Sequence, residues 1–477
     1  MNPSDITNFI NTDLKLVSEF QAELHGLLVT KKKEEITSKF SNNYLKTSIS
    51  TKAKNKLNLI SKDETYVYEI NKKYDFLSNT YFIINLPEIY VKSTWKGKVQ
   101  ICWTKNLAHN IIKFASLKSG DNNLQTYDSI WLDNNMQYNE IKYEDYSKMI
   151  GNKKNLTEWN EYLQKDTIIG PQFFYYSKHI SSSFPICIIN SEENNQTYGF
   201  RLKISDLIRV RVRDKENNSW IQVESKNVST YINLEENSEI KPPQLWGEYY
   251  KIRDDELVWY TENNKVVYSE DIISIDQQVD PISLGSSVAL NLHSEYPVKA
   301  IYWVAENISA TKLNNFSNYT TDKYNIENGD NPCEKMNITY KGKERYIETN
   351  SIHHDIIEPY YRSNNIPRIA GYNMKSISHD PNSLNGDIGK VFDLINETKI
   401  AITLKEDSEK NAFNIDNIGK ETEETIPLEI ANGNKKERIN KDKYMIHIRM
   451  PIIKKLTFEN GKIIMNSQSK IAENVNI

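Results

Sequence analysis

The hexapeptide "IRVRVR", Ile208 to Arg213, alternates apolar and charged residues with a period of two. Successive side chains of a strand point to opposite faces, so the pattern predicts an extended segment with a buried face of Ile208, Val210 and Val212. Arg209, Arg211 and Arg213 then form a wet face. The same alternation recurs as Ile400, Ile402 and Leu404, and as Ile446, Ile448 and Met450 set against His447 and Arg449. Each such burial contributes ~1.5–3 kcal/mol, and a one-residue slip would turn the arginines inward, so register is tightly specified. "LTFENGKIIM" (Leu456 to Met465) places Asn460-Gly461 between two apolar runs, a strong hairpin signal.

This period governs the chain from about Thr65. Before it, Ile6, Phe9, Ile10, Leu14, Val17, Phe20, Leu24, Leu27 and Leu28 recur at three- and four-residue steps, and Lys31-Lys32-Lys33 follow. That spacing predicts an amphipathic helix with cations near its C-terminal end, where its dipole favours them. Residues 1–58 are read as a helical arm, packed on its own domain or docked on a partner or membrane surface. In "KPPQLWGEYY" (Lys241 to Tyr250), Pro242-Pro243 can belong to no central strand. They divide the remainder into two all-β domains, 59–240 and 241–477, each the size of an elaborated β-sandwich.

Composition narrows the function. Sixty basic and 64 acidic residues give a formal net charge of −4, without the positive excess of a nucleic-acid binder. Cys102, Cys187 and Cys333 lie far apart with no CxxC pair, so neither a zinc site nor a disulfide framework is expected, and reduced thiols in an intracellular compartment are. The first residues, "MNPSDITNFINTDL", carry no secretory pattern, and no apolar run is long enough to span a bilayer. The sequons at Asn155 and Asn318 are read as chance products of an Asn-rich chain.

Candidate chemistry is sparse. His353-His354-Asp355 has metal-ligand composition, but neighbours in a strand point apart, and the reading is a surface or interface segment. Glu344-Arg345 and Asp254-Asp255-Glu256 read as solvated charges, and Cys187 as a core residue of an apolar strand. No nucleophile elbow, P-loop or dinucleotide fingerprint occurs. The expectation is a protein that is not an enzyme, with no catalytic, cofactor or metal site.

Several stretches, in this order, resemble the double jelly-roll major capsid proteins of nucleocytoplasmic large DNA viruses. In the first half they are "LPEIY" (Leu86 to Tyr90), "KNLAHNIIKFASLKSGDNNLQTYDSIWLDN" (Lys105 to Asn134), "YSKMIGN" (Tyr146 to Asn152) and "IIGPQFFYYSKHISSSFPICII" (Ile168 to Ile189). The second half adds "HSEYPVKAIYWVAEN" (His293 to Asn307), "YKGKERY" (Tyr340 to Tyr346), "IEPYYRSNNIPRIAGYNMKSISHDPNSLNG" (Ile357 to Gly386) and the closing hairpin. Departures include Gly170-Pro171-Gln172 for the usual proline-leucine and Phe184-Pro185-Ile186 for Leu-Pro-Leu, as in a divergent or minor paralogue.

The resemblance implies two tandem jelly rolls behind the arm, and three chains closing into a pseudo-hexagonal capsomer that tiles an icosahedral shell. It implies assembly in the host cytoplasm, and as partners neighbouring capsomers, minor capsid or penton proteins and an inner viral membrane reached by the arm. No direct contact with nucleic acid and no cofactor are implied. Within it, Lys105 to Asn110 is expected to be a loop between strands, Trp131 a packing aromatic beside it, and "YSKMIGN" a short helical connection. Two other readings fit the same composition: a carbohydrate-binding β-sandwich, or a transient assembly scaffold of the same fold.

Overall fold

The computed structural model describes residues 49–62, 64–177, 182–189, 194–214, 218–234, 238–254, 257–258, 265–340, 342–378, 381–382, 390–392, 398–406, 427–429, 436–438, 442–459 and 462–466. The arm expected over 1–58 lies outside them up to residue 48. Its last residues are not helical: Ile49–Lys56 and Asn58–Lys62 are strands. The first lies at a sheet edge, where Lys52, Lys54 and Lys56 point outward and alternate with less exposed Ala53 and Asn55. Lysines at such positions discourage pairing with a second chain.

Two β-sandwiches follow in series. One sheet of the first runs in the order Ile49–Lys56, Gln244–Ile252, Phe76–Leu86, Asp166–Pro171, all antiparallel. Its partner runs Asn58–Lys62, Tyr66–Glu69, Asn194–Phe200, Ile112–Ser119, Asn122–Asp128. Tyr68, Phe82 and Tyr198 meet between them with ring centroids 4.7 to 5.8 Å apart, mostly edge to face, the arrangement aromatic quadrupoles favour. Trp220–Val223, Ile208–Arg213 and Val99–Trp103 form a smaller third sheet.

Gln244–Ile252 corrects the domain boundary. Placed after Pro242-Pro243, it was assigned to the second domain, yet it is hydrogen-bonded between two strands of the first. The prolines precede the strand rather than interrupt it, where their missing N–H costs the ladder nothing.

In the second sandwich, Lys443–Glu459 runs through one sheet beside Ala300–Asn307 and Lys265–Asp276. The facing sheet is Ser287–Leu292, Thr398–Leu404, Cys333–Tyr340, Lys343–Asn350. Trp303, Met336, Ile400, Ile402, Ile446, Ile448 and Met450 fill the space between. Glu459 pairs with Lys462, the register of the hairpin read from Asn460-Gly461, two residues outside the described ones.

The apolar side of the alternation holds at 400–404 and 446–450. The charged side does not. Arg209 is 8% exposed, Arg449 2% and His447 9%, and the cause is the packing of one sandwich on the other. Along Ala300–Asn307, Ile301, Trp303 and Ala305 enter the second core, while Ala300, Tyr302 and Val304 enter the first. That sheet is a wall buried on both sides, so its outward residues are not solvated.

Candidate functional site at the seam between the sandwiches

Arg449 alternates with Ile448 and Met450, so it must leave the second core on the opposite face. There it meets the first sandwich. Its Nε donates to both oxygens of Asp128, at 3.1 and 3.0 Å, and Nη2 donates to Asp128 Oδ2 at 2.5 Å. Nη1 donates to Asp276 Oδ1 at 2.8 Å. A planar guanidinium is suited to such paired carboxylate contacts. Asp128 ends the strand Asn122–Asp128 and also caps the helix Ser129–Asn139, accepting from the Trp131 backbone N–H at 2.9 Å.

His447, two residues earlier on the same face, joins the second sandwich's own acids. Its Nδ1 lies 2.7 Å from Asp276 Oδ1 and its Nε2 2.9 Å from Glu306 Oε2. Burial alone would lower the imidazole pKa, but these two hydrogen bonds and the carboxylate charges outweigh it and raise it to about 9. Burial would likewise raise Asp276 and Glu306. The His447 hydrogen bond outweighs it, aided by Arg449 at Asp276, and holds both below the usual carboxylate range. Two further ion pairs lie along the same sheet, Lys299 with Glu270 at 3.0 Å and Lys454 with Asp271. Asp271 also accepts from the Thr126 backbone N–H of the first sandwich at 2.7 Å.

Beside the charges the seam is aromatic. Tyr302 packs on Trp131 and Tyr138 of the Ser129–Asn139 helix, with centroids 5.6 and 5.0 Å apart. Trp131 is thus the packing aromatic expected, but it sits on a helix that sequence reasoning missed. That helix is buried on several sides, so its polar residues blur the 3.6-residue period, and Asp128 at the N-cap was the readable signal.

Lys105 to Asn110 is also corrected. Leu107–Ile111 is a short helix, buried throughout and entered through left-handed Asn106 (φ 49). His109 bridges Asp133 and Tyr146, 2.7 Å from each, and Asp133 accepts from Asn106 at 2.9 Å and from Tyr319 of the second sandwich at 3.1 Å. The segment belongs to a closed hydrogen-bond network that fastens the halves together. "YSKMIGN" does carry the end of a helix, Tyr143–Met149.

The remaining candidates lie apart from this seam. His353 and His354 start a turn of π-helix rather than a strand. His354 is buried against Trp303, donates to the Thr349 carbonyl at 2.8 Å and is lowered to about 4, chiefly by burial, whereas His353 faces Glu358 at 3.2 Å. Asp355 accepts from Asn331. The three diverge, and among the described residues no group of three or more His, Cys, Asp or Glu could hold a metal. Burial pushes Cys102 up to about 11 and Cys333 up to about 12, leaving inert thiols, and Cys187 is half-buried against the core. Asn318 is buried and hydrogen-bonded within its loop, which closes that sequon, while Asn155 is exposed. Asp254 is exposed; Asp255, Glu256 and the side chains of Glu344 and Arg345 lie outside the described residues. The seam holds charges and rings in place and offers no nucleophile.

Residues 270–434 match the family described as large eukaryotic DNA virus major capsid protein, and residues 36–249 match the major capsid protein N-terminus. The major capsid protein of Simulium iridescent virus is 22% identical over 330 residues, 65% of this chain and 68% of its own length. Probable capsid protein 4 of Acanthamoeba polyphaga mimivirus is 21% identical over 405 residues, 66% of this chain and 78% of its own. Among solved structures, the PBCV-1 virus capsid superposes with a TM-score of 0.63 at 11% identity, over 87% of this chain and 96% of that one. The Faustovirus major capsid protein does so at 0.60 and 8%, over 95% and 98%. At such identities the superpositions speak to the fold, a double jelly roll.

Proposed function

The chain belongs to the major capsid protein family of large eukaryotic DNA viruses, and from that premise we infer that three copies close into a pseudo-hexagonal capsomer of an icosahedral shell. It is a structural capsid protein, not an enzyme. The observation that carries the trimer is an unpartnered apolar surface. Ile352, Ile356, Ile357, Tyr360, Tyr361 and Ile366 are all exposed within one short segment, Tyr360 at 67% and Tyr361 at 72%. Ile141, exposed on the first sandwich, lies close by, because Asn365 donates from its backbone to Tyr138 O and from its side chain to Glu140 O. Contiguous apolar surface of this kind marks a contact with another protein. In a shell subunit the available partner is another copy. Ring closure through unlike patches then accounts for a threefold assembly.

The locked seam supports the same reading. Two sandwiches held side by side act as one body, and three such bodies present six sandwiches to the lattice. Assembly takes place in the host cytoplasm, with minor capsid or penton proteins joining the shell and residues 1–48 reaching an inner membrane or minor protein. The test is the solution mass of the purified chain and of the Tyr360→Asp/Tyr361→Asp double variant.

A further inference from the structure

Arg209 and Arg211 lie on one face of the small sheet Val99–Trp103, Ile208–Arg213, Trp220–Val223, and neither meets a carboxylate among the described residues. Arg211 sits 4.7 Å from the ring centroids of both Trp159 and Trp220, and Arg209 5.3 Å from that of Trp159. Their acceptors are neutral: Gln100 Oε1 for Arg211, and Gln222 Oε1 and the Tyr324 carbonyl for Arg209. Arg209 is 8% exposed, and its buried Nε has no hydrogen-bond partner among the described residues. Cys102, beside it in the sheet, keeps its proton at neutral pH because burial raises it to about 11. Asp322, whose charge acts on Arg209, accepts from the Tyr324 and Asn325 backbone N–H groups of its own loop.

Two neighbouring cations without an anion are a costly arrangement. Burial pulls Arg211 below its usual pKa, and the Arg209 charge pulls the same way. A buried donor left unpaired adds to the cost. An incoming oxyanion at the half-exposed Arg211 would offset the like charge of the pair, since a planar guanidinium matches carboxylate and sulfate geometry. The surroundings indicate what carries it. Trp159 and Trp220 are half-exposed indoles that can pack on the C–H face of a sugar ring, and Gln100, which accepts from Arg211 through Oε1, carries an amide nitrogen able to donate to a hydroxyl. A nucleic acid would instead call for a strong basic excess over an extended surface, which a chain of net charge −4 does not carry.

We propose that Arg211, Trp159, Trp220 and Gln100 form a binding site for an acidic glycan, with Arg211 taking its carboxylate or sulfate group and the buried Arg209 adding its charge from beneath. These residues all belong to the first sandwich, and the Tyr324 carbonyl of the second closes over Arg209. The experiment is titration of the full-length protein, followed by calorimetry, with sialyllactose, a sulfated heparin disaccharide, neutral lactose and inorganic sulfate. Either acidic sugar should bind at least tenfold more tightly than both lactose and sulfate, and the better one identifies the anion. Arg211→Gln should weaken that binding by tenfold or more. Arg211→Lys keeps the charge but loses the planar fork, and should weaken it too. Trp220→Leu, at the sheet's end, provides a variant that leaves both arginines in place and should also lose affinity. Wild-type protein that binds neither acidic sugar, or binds sulfate as well as the sugars, would overturn the proposal. So would variants that bind as wild type does.

Discussion

Arg449 carries the electrostatics of the seam, because it is 2% exposed and pairs with Asp128 and Asp276, one acid from each sandwich. Arg449→Met keeps the length but leaves Asp128 without its cation and Asp276 with His447 alone. Breaking a buried pair in this way costs about 3–5 kcal/mol, read as a fall in the denaturant midpoint. Asp276 moderates that figure, since its side chain is 45% exposed and solvent screens it from the outer edge. His447 gives the seam a pH dependence of definite sign. Its folded pKa of about 9 lies above the ordinary value, so its stabilising contribution is complete below about pH 6.5 and lost as pH rises through 9. Asp276 and Glu306 are lowered, so their contribution is present above about pH 4 and lost on acidification. The thermal midpoint of wild-type protein should therefore fall more between pH 7 and 10 than that of His447→Gln. Parallel curves would show that the imidazolium does not stabilise the seam.

At the scale of elements, the strands were legible because one side of each is a run of Ile, Val, Leu or Met at period two. Ile400, Ile402, Leu404, Ile446, Ile448 and Met450 all lie in the core. What the other side meets was not legible. The alternation around His447 and Arg449 has the form of an exposed face, and nothing local signals that Asp128, 321 residues away from Arg449, closes over it. The helix Ser129–Asn139 was hidden for a related reason, since elements buried on several sides lose the periodicity that exposure imposes. Gly371 illustrates a constraint the pattern cannot carry. Its φ of +98° disfavours any side chain, and an added Cβ would lie 2.2 Å from the Tyr319 carbonyl oxygen. Gly371→Ala should cost about 1–3 kcal/mol through strain and backbone displacement. Because Tyr319 bonds Asp133 of the other sandwich, the variant should also loosen the seam, read as faster proteolysis between the halves.

At the scale of the whole molecule, the first described strand limits how much of the chain can be removed. Ile49–Lys56 pairs along Gln244–Ile252, so a truncation at residue 55 would strip a sheet edge. Removing residues 1–48 should leave the thermal midpoint and oligomer mass unchanged while weakening binding to liposomes or the inner layer. Loss of the oligomer on that deletion would place the arm within the assembly instead. Self-assembly runs through the apolar segment around Tyr360 and Tyr361 in the trimer proposed above. Obligate interfaces bury roughly 2,000 Å² or more, so the oligomer should survive dilution. Light scattering on the purified chain at micromolar concentration tests this most directly: the account predicts three times the chain mass, falling to one in the Tyr360→Asp/Tyr361→Asp variant with the thermal midpoint retained, whereas a wild-type monomer at that concentration would contradict it.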